Sequence, residues 1–138
     1  MIDWLLVLLT TFARADAGCV VLDALDERRT VALEHDDPAA LADVYVPGSP
    51  LRTSDERLLA AYRERGLRLR GAGVETLGCR TTVERPGRLV VDVVDRVTAT
   101  SVAGTDGERA LPRDRPSRHV VELRRTADGW RVAAVRDR

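Results

Sequence analysis

An aspartate in the middle of an apolar run is the residue of this chain best placed to do chemistry. Asp95 lies within Arg88 to Ala103, RLVVDVVDRVTATSVA, a stretch dominated by valine and threonine and free of glycine and proline before its end. That composition predicts one long strand. With a period of two, Leu89, Val91, Val93, Asp95, Val97 and Ala99 share the more apolar face, and Asp92, Arg96 and Thr98 share the other. A carboxylate on a buried face is costly unless it is paired or looks into a polar cavity. Two roles follow. In an apolar pocket the Asp95 carboxyl would hold its proton more tightly and act as a general base on a carbon acid. Otherwise it forms an ion pair with Arg28 or Arg29. A register slip of one residue would expose Asp95 and bury Asp92 instead.

His119 shares a strand face with Val121 and Leu123 and would titrate near neutral pH, so it is the natural partner for such a base; the alternative is a half-exposed packing residue. The two meet only if their strands are neighbours. Tyr45 and Tyr62 offer phenolic donors to a ligand, or else serve as core aromatics with the hydroxyl at the edge. Trp130 opens the last strand and is a ligand-wall or core residue. Arg28 and Arg29 lie three and four residues beyond Leu25 on a helix, so at least one edges onto its apolar stripe and towards a ligand. Arg113, Arg115, Arg118, Arg124 and Arg125 would grip an anion or simply decorate a solvated face. Ser49, in PGSP, lacks the flanking glycines of a nucleophile elbow.

Composition excludes more than it suggests. The 138 residues suffice for one domain with its own core, and 22 basic side chains balance 22 acidic ones, which argues against a nucleic-acid binder. The basic residues are all arginine. Without lysine there is no Schiff base and no phosphate loop ending in GK[ST]; without asparagine and glutamine there is no side-chain amide for an oxyanion hole. His35, His119, Cys19 and Cys79 show no metal-ligand spacing, so no metal and no cofactor is expected. Two free thiols in a reducing compartment is the expected state of the cysteines, with one disulfide as the alternative.

The elements that must position these residues follow in order. WLLVLL at Trp4–Leu9 is too short to span a bilayer and is read as an N-terminal helix or extension, residues 1–19. The expected location is cytoplasmic, the alternative being export through an atypical signal cut near Ala15-Asp16-Ala17. A single domain then covers 20–138. Val21, Leu22, Leu25, Ala32 and Leu33 predict a helix over Val20–Glu34. Asp37-Pro38 opens a short helix. Thr53 and Glu56 read as a capping box opening a third helix, with Leu58, Leu59 and Tyr62 inward and Gly66 at its end. From Leu67 the period changes to that of strands. Gly71 and Gly73 mark a bend, Gly104 to Ser117 a long loop, and Asp128-Gly129 a tight turn before the last strand.

Helices first and antiparallel strands after them mean an α+β fold with helices packed on one face of a curved sheet. ADGWRVAAVR at Ala127–Arg136, with DPAALADVYVPGSP and the helix leading into it, resembles the NTF2-like superfamily, its SnoaL-like and ketosteroid-isomerase-like group. The resemblance implies a strongly curved antiparallel sheet forming a cone, a pocket inside it, and a homodimer packed through the sheets. It carries no catalytic motif over. The expected function is therefore a non-catalytic module binding a small apolar ligand or a partner protein. The alternative is an isomerase, cyclase or dehydratase with Asp95 as base and His119 assisting.

Overall fold

A computed structural model describes residues 16–138; Met1 to Ala15, with the apolar run Trp4–Leu9, lie outside the described residues. Helix α1 (Ala17–Glu34) starts three residues earlier than the apolar stripe suggests. Its N-cap is Asp16, whose side chain accepts from the Cys19 amide and is also hydrogen-bonded by the Thr81 amide and hydroxyl of the sheet. Gly18 is needed for the close approach: a Cβ there would sit 2.7 Å from Val91 Cγ2 and closer still to Thr81 Oγ1. A 3₁₀ turn, Pro38–Asp43, follows, capped by Asp37. Helix α2 runs Pro50–Glu64. Ser49, not Thr53, is its N-cap, because Pro50 supplies a first-turn residue that gives up no hydrogen bond. Leu59 points inward, whereas Leu58 is an exposed side chain. Gly66, at φ +67°, ends the helix.

The strands are β1 (Arg68–Arg70), β2 (Val74–Arg85), β3 (Arg88–Val97), β4 (Ser101–Gly104), β5 (Gly107–Ala110), β6 (Ser117–Thr126) and β7 (Gly129–Asp137). They form two antiparallel sheets, ordered β2-β3-β6-β7 and β1-β4-β5. The single strand expected from Arg88 to Ala103 is thus two strands. The chain leaves the larger sheet after Val97 and enters the smaller one at Ser101, pinned at the corner by Thr98 and Thr100 hydroxyls donating to the Gly71 carbonyl. A Cβ at Gly71 (φ +72°) would lie 2.6 Å from the Ala99 carbonyl, so glycine is required there. The expected loop after Gly104 holds β5 and turns back as a hairpin.

Extra residues at Leu77 and Thr82 on β2 and at Ala133 on β7 interrupt the ladders, and such bulges bend and twist a strand. The sheet curves without closing. Its concave face receives α1, and the core forms there from Leu22, Leu25 and Leu33 with Val91, Val93, Val121 and Leu123. Val44–Val46 extends this wall by pairing in parallel with Val132 at the β7 edge. Cys19 and Cys79 form a disulfide between α1 and β2, which corrects the expectation of two free thiols: the first helical turn is pressed against the sheet at that point. Among the described residues, no helix is long and apolar enough to cross a membrane.

Candidate functional site

Between α1 and the concave face of the larger sheet lies a cavity of about 420 Å³. Leu22, Val44, Val74, Val121 and Val132 form its apolar wall, with Val97 and Val135, both about 40% exposed, at the mouth. Asp95 and His119 line it together. They converge because β3 and β6 are neighbours in a register that sets Val93 opposite His119 and Asp95 opposite Ser117. His119 Nε2 lies 3.0 Å from an Asp95 oxygen and 2.9 Å from the Ser117 hydroxyl; Nδ1 lies 2.8 Å from Asp137. With both ring nitrogens facing carboxylates, the imidazole donates to Asp95 and Asp137 at once only when it carries two protons. Burial raises the Asp95 pKa above the ordinary carboxylate range, the His119 charge and hydrogen bond oppose the rise, and the Asp114 charge adds to it.

Neither arginine pairs with Asp95. Arg28 reaches the Asp43 carbonyl at 3.4 Å. Arg29 forks onto Asp55 of α2 through two bonds of 2.8 Å, and Tyr45 donates its hydroxyl to Asp55 at 2.6 Å while accepting from Arg29 Nε at 3.0 Å. Burial opposes the Arg29 charge, but Asp55 and Tyr45 together more than restore it, and its pKa is raised. Burial also pushes the Tyr45 hydroxyl up, against the Arg29 charge and with help from Asp55. Asp92 lies on the convex face, held below the ordinary carboxylate range by the bidentate hydrogen bonds of Arg118 at 3.0 and 2.6 Å.

Asp26, which sequence reasoning passed over, is the most perturbed carboxyl of the cavity. Burial first, and then the Asp95 charge, raise it to about 6. Four residues after Leu22 and three before Arg29, it stands on the inward side of α1, and that spacing was the available signal. Because the pKa is raised from 3.8, the folded state favours the protonated acid. Its contribution to stability is intact below about pH 4 and is lost as pH rises through 6. Asp26→Asn is therefore expected to stabilise the protein by up to about 3 kcal/mol at about pH 8 and by nothing near pH 4. Urea unfolding at the two pH values measures this; an equal effect at both would contradict it.

Of the other residues singled out, Tyr45 and Arg29 line the cavity. Tyr62 borders a separate, open groove with Leu67, Val102 and Leu111. Trp130 packs against the core from the far end of β7, and neither it nor Arg28 lines the cavity. Among the described residues no group of three or more His, Cys, Asp or Glu is placed to hold a metal ion.

Three solved structures overlay on this arrangement of helices and bent sheet. The intermembrane space region of the chloroplast protein ARC6 matches at a TM-score of 0.57 and 12% identity, over 91% of this chain and 98% of that one. Aln2 from a Streptomyces species gives 0.56 and 14%, over 89% and 93%. A protein from Catenulispora acidiphila in complex with S-DNPA gives 0.53 and 16%, over 87% and 92%. The chain has the NTF2-like fold. The likeness runs through nearly the whole length of these three solved chains, so the fold they share accounts for both the helices and the sheets described above. No protein-family model and no curated protein matches the chain.

Proposed function

We propose that this NTF2-like protein binds a small, mainly apolar molecule in its cone and does not turn it over. One observation carries the reading: a cavity of about 420 Å³ walled by leucine and valine, with polar groups supplied by α1, α2, β3 and β6. That size lies within the range of small-molecule sites. Most groups able to move protons are already engaged with one another. Arg29 and Tyr45 are bound to Asp55, and His119 bridges Asp95 and Asp137. The Catenulispora acidiphila protein, complexed with S-DNPA, supports a ligand in this fold. Val121→Trp fills the wall and is expected to abolish retention of a co-purifying small molecule that native mass spectrometry detects on the unaltered protein. Retention undiminished in the variant would refute a ligand in the cone.

The second reading keeps the Asp95–His119 contact as machinery: Asp95 abstracts a proton from a carbon acid and His119 assists. The raised Asp95 pKa and the 3.0 Å contact favour it. Solvent deuterium appearing in a bound ligand, and lost with Asp95→Asn, would select this reading over simple binding.

A homodimer through the convex face belongs to the proposal as well. That face carries ion pairs on several strands, Arg96–Glu75, Arg118–Asp92 and Arg88–Glu122. A contact made through them is expected to weaken when salt rises from about 0.05 to about 1 M, where the screening length falls to about 3 Å. Sedimentation velocity at both salts reads the dimer fraction, and a salt-independent dimer would place the contact elsewhere. The disulfide supports export to an oxidising compartment over a cytoplasmic location. Thiol trapping on native material distinguishes the two.

A further inference from the structure

The lining of the cavity is uneven in charge. Its wall is aliphatic, but its polar lining holds four carboxylates, Asp26, Asp55, Asp95 and Asp114, against one guanidinium, Arg29, and one imidazole, His119. Asp55 is neutralised: Arg29 and Tyr45 direct three donors at it. Asp95 has His119 on one side. Asp26 lines the same cavity as Asp95, whose charge opposes its ionisation, and Arg29 is the one positive charge that favours it. A neutral or anionic ligand would leave that like-charge opposition in place. An ammonium group would relieve it by donating to both carboxylates while its apolar body covers the valines.

Resting on the reading of the cone as a ligand site, we propose that the ligand is an amine, its cationic nitrogen held between Asp26 of α1 and Asp95 of β3 and its apolar part against Val121 and Val132. The charge of the site is set by groups from three elements and one loop. Asp26 is faced by Asp23 and Arg29 of its own helix and by Asp95 of β3; Asp95 is faced by His119 of β6 and by Asp114 of the loop before it. Deprotonation of Asp26, whose pKa lies at about 6, therefore strengthens amine binding as pH rises from about 5 to about 7.5, the interval over which that carboxyl ionises.

The test uses the full chain and three probes of one shape, 1-naphthylmethylamine, 1-naphthalenemethanol and 1-naphthoate, titrated by calorimetry. The amine is expected to bind at least about tenfold tighter than the alcohol, and the carboxylate weakest. Asp26→Asn and Asp95→Asn should each remove most of that preference by weakening the amine far more than the alcohol. Val121→Trp should abolish binding of amine and alcohol alike. Equal binding of amine and alcohol would overturn the amine inference and leave the ligand site standing. Amine binding that survives Val121→Trp would place the amine on the surface and also overturn the inference. Failure of all three probes, with no difference between the unaltered protein and Val121→Trp, would count against the ligand site itself.

Discussion

Replacing Cys19 and Cys79 together by serine is expected to lower the unfolding free energy by about 4 kcal/mol, the loop-closure entropy that a cross-link spanning some sixty residues removes from the unfolded chain. The two cysteines are 60 residues apart in sequence and join the first turn of α1 to the middle of β2. The bond does more than shorten a loop. At the same corner Gly18 donates its amide to Thr81 Oγ1 at 3.0 Å, and the Thr81 amide and hydroxyl bond to Asp16. Without the disulfide these contacts hold the start of α1 alone. Because α1 carries Leu22, Asp26 and Arg29, the helix held at this corner frames the cavity as well as the core. Urea unfolding of the double variant, and of the unaltered protein with and without reductant, measures the effect. Identical midpoints in all three would show that the cross-link contributes nothing.

Asp55→Ala is the second large effect, expected at about 3 to 5 kcal/mol and nearer the lower figure, since breaking a buried pair strands its partner's charge. Asp55 is 9% exposed at its side chain and Arg29 30%, so part of the Arg29 charge can still reach water. The loss would strand the Arg29 fork and the Tyr45 hydroxyl together. Replacing both charged partners, Arg29→Met with Asp55→Leu, should be markedly less damaging than Asp55→Ala, because no unpaired charge remains. If thermal or urea unfolding finds the double variant as unstable as the sum of the singles, the network is not a coupled unit.

The placing of strands and helices was largely legible because it is written in short periods. Val121 and Leu123 alternate on one strand, and Leu22, Leu25 and Leu33 recur at helical spacing; such patterns report burial of a face without any knowledge of what covers it. The curved α+β architecture follows from that order of elements, and the turns at Gly66, Asp128-Gly129 and the Gly71–Gly73 bend follow from residue chemistry alone. The break after Val97 was not legible. Thr98 and Thr100 are good strand residues, and only their hydroxyl bonds to the glycine bend turn the chain into the second sheet. The start of α2 was misjudged for a local reason: two capping signals, Ser49-Pro50 and Thr53-Glu56, compete, and the proline decides.

The site was half visible. Asp95 stood out because a carboxylate breaks an apolar alternation, and His119 because its strand face is otherwise aliphatic. Asp26 and Asp55 stayed hidden, although Leu51, Asp55 and Leu59 fall at helical spacing, because acids beside other acids on a helix read as a solvated face. What the sequence by itself determined is the set of faces: which side of each helix and strand seeks the interior, and hence the bent sheet with helices in its concavity. Which charges meet inside was decided only by the tertiary structure. Arg29 chose Asp55, Asp95 met His119, and Cys19 reached Cys79 across distances along the chain that no local period encodes, since pairing energy depends on separation in space and burial rather than on spacing in sequence.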